Sequence, residues 1–339
     1  MQLSIPREVD ATKSLKQSLS KVGIQPPFTI PGGFHTCPPS ILKLVRILNL
    51  PTPELDNLDH KMVHDFSEEN PQGIAYAYGD VWFLSAEKNL FKYSIKGPDF
   101  FKPTVRRLRK KGLSTIIGES DINTTGHNFD HIGGIGWCDG LLFASIRDGA
   151  NKKEHIVLGL SRNLDVVGYS WLAKGTADAW CAVNPWNRLL YMSTEESARY
   201  FIIYDISEYF RVLTQPDKWG RQVSMPLTQK KFLLYKNNGE PDEATSVQGT
   251  VFSPNGRLYV AWYVEHPTYW TSHLRVYNAL TGVRLDDKTY DFSGVGDEIE
   301  GLTVHPSGYI YVAVADNDWP STDEFELHAF KYRDPTQFV

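Results

Sequence analysis

The chain has 339 residues, of which 41% are hydrophobic and 13% aromatic, enough to build a core for one large all-β domain or two ordinary ones. A net charge of −5 argues against a broad electrostatic grip on nucleic acid or on an anionic membrane. Cys37, Cys138 and Cys181 form no CxxC and no disulfide framework. No apolar run approaches the roughly 18 residues that span a bilayer, and "MQLSIPREVD" lacks the features of a leader, so a cytoplasmic protein is expected.

Residues 1–60 read as an arm and 61–339 as one repeating domain. In the arm, "ATKSLKQSLSKVG" places Leu15, Leu19 and Val22 at i, i+4 and i+7. "SILKLVRILNL" follows Pro38 and Pro39, with Ser40 as its cap and Pro51 beyond its end. Two short helices are expected, joined by the irregular "PPFTIPGGFHTCPP" and packed outside the domain or over one mouth of it.

The domain repeats one phrase: a glycine inside an alternating apolar run, a turn, a second run and a third. The phrase recurs at Gly73 in "NPQGIAYAYG", Gly134 in "HIGGIGWCDG", Cys181 in "AWCAVNPWN", Gly249 in "VQGTVFSPNG" and Gly301 in "IEGLTVHPSG". Period-two alternation makes these runs strands, and Gly, Asn or Pro in the turns makes them hairpins. Fourth strands are expected at "STIIGE", "DVVGYSWL", "KKFLLYK" and "KTYDFS"; copy five stops after its third. The basic "RRLRKKG" reads as a solvated strand or loop. Repeats of this length with four strands each predict a five-bladed β-propeller. "MVHDFS" precedes copy one as "TYDFS" precedes copy five, so Met62–Ser67 is expected to supply the missing outer strand and close the ring against Glu326–Tyr332.

Function in such a ring gathers on one face, formed by the loops leading into each inner strand and those joining each second strand to its third. The first set supplies Gln72, Asp130, His131, Asp178, Trp180, Gln248, Glu298 and Glu300; the second includes Glu265, His266, Asp316 and Asn317. "VEHPTYWTSH" adds Tyr269 and Trp270, and "DNDWPSTDE" adds Trp319; these aromatics line an apolar ligand pocket or meet the arm. His131, with Asp130, Asp178 or Glu300, has the chemistry for proton transfer near neutral pH; a purely structural histidine is the alternative. Carboxylates and amides from different blades also suit a divalent cation such as Ca or Mg, with Glu300, Asp178 and Asn317 as ligands. No HExxH or Cys/His cluster suggests zinc, and no dinucleotide fingerprint, Walker A sequence or GxSxG elbow occurs. His305, in the turn after an inner strand, falls at the opposite face.

On "PQGIAY", "VQGTVFSPNG" and "IEGLTVHPSGYIYVA", the chain resembles the broad lactonase, NHL and phytase-like group of propellers over roughly residues 62–333. Regucalcin-type lactonases in that group hold one divalent ion at the ring axis. The resemblance implies that Glu300 matches their first acidic ligand and Asn317 or Asp316 a later one. Two departures count against the match: those proteins are usually six-bladed, and the third copy here has Trp180-Cys181 where a ligand or Gly is expected. Propellers of natural-product pathways, which cyclise or eliminate in a central pocket, are similar in outline.

The leading expectation is an enzyme acting on a small, largely apolar molecule by acid–base isomerisation, elimination or cyclisation. Its catalytic residues would be His131, Asp178 and Glu300. Gln72, Trp180, Gln248, His266, Tyr269, Trp270 and Trp319 would bind the substrate. A metal-dependent lactonase or other hydrolase, and a non-catalytic propeller binding a glycan or protein, are the alternatives.

Overall fold

The computed structural model describes residues 55, 58–69, 71–77, 80–96, 103–150, 155–173, 180–193, 197–253, 256–265, 270–290, 297–305, 308–316 and 324–332. Both helices expected in the arm lie outside the described residues. Strand β1 (Leu58–Glu69) precedes the repeats. Blade 1 is β2 (Pro71–Ala77), β3 (Val81–Ala86), β4 (Asn89–Lys96) and β5 (Thr104–Gly112), followed by a short helix α1 (Leu113–Gly118). Blade 2 is β6 (Phe129–Cys138), β7 (Leu141–Asp148), β8 (Ile156–Ser161) and β9 (Val166–Trp171). Blade 3 begins with β10 (Ala182–Asn184) and β11 (Leu189–Met192); after the two-residue β12 (Ser197–Ala198) come β13 (Tyr200–Asp205) and helix α2 (Ser207–Leu213). The two-residue β14 (Arg221–Gln222) pairs parallel to β9 as a fifth strand of blade 2, and β15 (Leu227–Leu233) completes blade 3. After β16 (Ala244–Thr245), which pairs with β12, blade 4 is β17 (Val247–Phe252), β18 (Arg257–Glu265), β19 (Trp270–Asn278) and β20 (Arg284–Tyr290). Blade 5 is β21 (Glu298–Val304), β22 (Tyr309–Asp316), β23 (Glu324–Tyr332) and β1. Each blade is antiparallel apart from β14, and the ring is a five-bladed β-propeller.

The hydrophobic core lies between the blades. Five apolar clusters occupy the seams between blades 1 and 2, 2 and 3, 3 and 4, 4 and 5, and 5 and 1. Strand periodicity explains why runs such as "LLFASI" are apolar at nearly every position. In β7, Leu142, Ala144 and Ile146 face the blade 1 seam, whereas Leu141 and Phe143 face the blade 3 seam. A middle strand buried on both faces needs no polar side.

At the axis the inner strands meet backbone to backbone. A Cβ built on Gly301 would lie 2.6 Å from the Gly73 Cα, one on Gly73 2.9 Å from the Gly134 Cα, and one on Gly249 2.8 Å from the Gly301 Cα. These are the glycines of the repeat, and a side chain at any of the three would run into the neighbouring backbone of this waist. Cys181 holds the equivalent place in blade 3, its thiol directed at the carbonyl oxygens of Gly134 (3.4 Å) and Phe143 (3.5 Å).

Closure follows the expected pairing and extends beyond it. Leu58–Glu69 runs along the whole of β23, with Met62 opposite His328 and Phe66 opposite Phe325. Phe66 is buried, its ring 4.9 Å from Phe325 and 5.0 Å from Tyr93 of blade 1. One fourth strand was expected in the wrong place. "STIIGE" falls in α1 and its end, because Leu113, Ile116 and Ile117 are buried at helical spacing. The basic run beside it is the outer strand, β5. No helix among the described residues is long and apolar enough to cross a membrane.

Two predictions follow from the waist and the closure. Gly301→Ala sets a Cβ against unyielding backbone and should cost more than about 3 kcal/mol, beyond the usual range for overpacking. Gly118→Ala, which meets nothing within 4 Å at the end of α1, should be neutral or stabilise by up to about 1 kcal/mol. Phe66→Ala should cost about 3–5 kcal/mol, the range for a buried phenylalanine. Denaturant titration measures all three; equal stability of the two glycine variants would show that the waist is not tight.

Candidate functional site

We call the end of the ring carrying the first residues of the inner strands the upper end. Just above the waist, the ladder between inner and second strands breaks at corresponding points. The register shifts fall between Pro71 and Gly73, Val247 and Gly249, and Ile299 and Gly301. Blade 2 shifts between Ile132 and Ile135. The bulged residues are Gln72, Gln248 and Glu300, with Gly133 in blade 2. An extra residue bends the strand and re-aims its side chain. The repeat therefore sets an amide, an amide and a carboxylate at one level on three blades, beside a glycine that contributes no side chain.

Two hydrogen bonds across blade seams organise this level. His131 Nε2 lies 2.8 Å from Gln72 Oε1, joining blades 2 and 1. With Nε2 donating to that oxygen, the neutral imidazole carries its basic lone pair on Nδ1. Gln248 Nε2 donates to Glu298 Oε1 at 2.6 Å, joining blades 4 and 5. Glu298 and Glu300 are both buried, at 7% and 5% exposure, while Gln72, Gln248 and His131 are half-buried. Serines fix the backbone around them. Ser85 Oγ donates to the Gly133 carbonyl at 2.9 Å; Ser272 Oγ donates to the Asp297 carbonyl at 3.1 Å and accepts from the Ile299 amide.

Other expected site residues fall elsewhere. Trp180, expected in a pocket wall, is fully buried in the seam of blades 3 and 4, packed edge-on against Phe201 at 4.8 Å, and belongs to the core. Asp130, one expected partner of His131, is held by Arg147 Nε at 3.3 Å and fills the space above Gly149 that a Cβ would need. Trp270 opens β19 at the upper end of blade 4, its backbone opposite Glu265. Asp178, His266, Tyr269, Asn317 and Trp319 lie outside the described residues. Among the described residues no three His, Cys, Asp or Glu side chains converge as a metal would require, and of the three proposed ligands only Glu300 is described. Glu298 was legible as a loop residue but not as the partner of Gln248; its place three residues before the waist glycine was the available signal.

His305 sits at the lower end, its ring parallel to Trp82 at 5.8 Å and edge-on to Tyr76 at 4.4 Å. Burial holds its pKa below the ordinary histidine value, against the pull of Asp80. It is a packing residue remote from the upper level.

No protein-family model and no curated protein matches the chain. Among solved structures it is similar to the PQQ-bound aldose sugar dehydrogenase of Streptomyces coelicolor, at 12% identity over 82% of this chain and 99% of that one, with a TM-score of 0.47. The native arabinanase of Bacillus subtilis matches at 12% identity, covering 79% and 96%, with a TM-score of 0.46. The RS223 β-xylosidase matches at 9% identity, covering 80% and 94%, with a TM-score of 0.48. The resemblance to the broad propeller group holds at the level of architecture. The five-blade assignment rests on the chain's own sheets, and the chemistry of those proteins remains theirs.

Burial pushes the Cys181 thiol up to about 12, and the Cys138 thiol likewise to about 12, with Asp139 adding to the shift at Cys138. At pH 8 the thiolate fraction of either is on the order of one in ten thousand. Iodoacetamide should therefore leave both unmodified in the folded protein and label both after denaturation. Rapid labelling of native Cys181, read by peptide mass spectrometry, would show that the waist opens in blade 3.

Proposed function

We propose that the protein is an enzyme moving protons on a small molecule held at the upper mouth of the ring, by isomerisation, elimination or cyclisation. The observation that carries this reading is the His131–Gln72 bond directly above the waist. It holds an imidazole in one tautomer at the level where the bulges set Gln248 and Glu300. His131 would take and return the proton. Gln72 would orient the ring, and Gln248 and Glu298 would present a fixed hydrogen-bonding edge to the ligand. Glu300 would be the second proton carrier or would stabilise positive charge developing opposite it. The waist below would stop the ligand from passing through the ring. Asp178, His266, Tyr269, Trp270 and Trp319 remain proposed contributors to the wall.

Two buried carboxylates at this level, Glu298 and Glu300, favour a second reading, a hydrolase assisted by a divalent cation. Glu300, Asp178 and Asn317 would hold the ion, which would polarise a carbonyl oxygen; no step is assigned through it.

Mass spectrometry separates the two. The purified protein and its His131→Ala variant are incubated with a small-molecule extract, with and without chelator. Isomerisation or cyclisation leaves a substrate's mass unchanged, elimination lowers it by the leaving group, and hydrolysis raises it by one water. The expected outcome is conversion without gain of water, insensitive to chelator and slowed about 10²- to 10⁴-fold in His131→Ala at an unchanged melting temperature. Gain of water abolished by chelator would establish the hydrolase. Full turnover in His131→Ala would remove that residue from the mechanism.

A further inference from the structure

Away from the axis, the upper edge of blade 2 carries a second polar constellation that the reading above does not use. Asp148, the last residue of β7, is fully buried. Its carboxylate accepts from the backbone amides of Asn128 (2.8 Å) and Ala150 (3.0 Å), and its other oxygen lies 2.7 Å from His127 Nδ1. The buried carboxylate accepts a hydrogen bond from Nδ1–H, so that in the neutral form of the ring Nε2 is the unprotonated nitrogen. The His127 side chain is partly exposed, at 18%, and Nε2 has no partner among the described residues.

Two aromatic rings flank this imidazole. Trp171, at the upper end of β9, lies 4.9 Å from it, and Phe129, at the start of β6, is stacked 5.7 Å away; both are half-buried. The Trp171 indole N–H bonds to no described residue and is not among the fully buried unpaired groups. The constellation thus offers one fixed acceptor, one free donor and apolar ring surface side by side. A carboxylate could use only the donor and an ammonium only the acceptor. A hydroxyl group uses both, donating to His127 Nε2 and accepting from the indole, while the carbon face of its ring covers Trp171.

We propose that His127, Trp171 and Phe129 form a binding site for a neutral cyclic polyol, such as a sugar ring, with Asp148 as the residue that positions His127. The site is independent of the proton chemistry proposed at the mouth. Nothing in it requires His131, and it stands or fails on binding alone.

The test is a nuclear magnetic resonance titration of the full chain, following the His127 imidazole and the Trp171 indole N–H. The probes are methyl β-D-xylopyranoside, methyl α-D-glucopyranoside and myo-inositol, with tetrahydropyran as a ring without hydroxyls. The expected result is an Nδ1–H tautomer at His127 and saturable shifts at both side chains with at least one polyol. A Kd on the order of 1 mM is expected, and no response to tetrahydropyran. His127→Phe, which keeps a ring against Trp171, and Trp171→Ala should each weaken binding about tenfold or more. Asp148→Asn should shift the tautomer and weaken binding; where that variant fails to fold, His127→Phe decides. Three results would each overturn the proposal: no saturable shift with any polyol up to about 50 mM, an equal response to tetrahydropyran, or unchanged binding in both His127→Phe and Trp171→Ala.

Discussion

Contact between backbones at the ring axis is the constraint on which the rest of this molecule depends. Where Gly249, Gly301, Gly73 and Gly134 approach one another, the nearest partner is in each case main chain and cannot give way. The four strands are thereby held at a fixed radius, and the blades fan outward from it. The same approach explains why polar residues sit where they do. Directly above the closest contact each strand needs slack, and a bulge supplies it. Gln72, Gln248 and Glu300 occupy those bulges, so one packing requirement at the axis sets the height of the polar level in three blades.

Blade 3 breaks this pattern. Its inner strand is short, Cys181 replaces the glycine, and the residue before it is a buried indole in place of a polar side chain. The polar level is therefore lopsided: His131 with Gln72 on one side, Gln248 with Glu298 on the other, and the Trp180–Cys181 backbone between. The two hydrogen-bonded pairs lie across different seams, the first across blades 1 and 2 and the second across blades 4 and 5.

Much of the architecture was legible in the sequence. The five aligned positions of the repeat, the hairpin turns and the shared DFS phrase led to five blades and to the closing strand, because each reflects a local requirement: a bare Cα, a turn, a complementary edge. What stayed hidden depended on neighbours. "RRLRKKG" could be read only as a solvated strand or loop, since an outermost strand with most of its side chains in solvent need not alternate, and burial of Leu113, Ile116 and Ile117 shows the next segment to be helical only once blade 2 is beside it. Trp180 shares its register with the polar residues of other blades, yet Phe201 and the blade 4 seam draw it into the core. The His127–Asp148 pair could not be read from the repeat at all, because no other copy carries it.

The closing strand has a consequence for how the chain comes off the ribosome. Translation delivers β1 first and its partner β23 about 250 residues later. At typical elongation rates that delay is on the order of tens of seconds. During it Phe66 has blade 1 on one side but lacks Phe325 on the other, the edge of β1 that pairs with β23 is bare, and four finished blades stand as an open arc with two bare ends. The newborn protein is thus most exposed to mispairing just before it is complete, and holding β1 aside until synthesis ends would be a natural task for a chaperone.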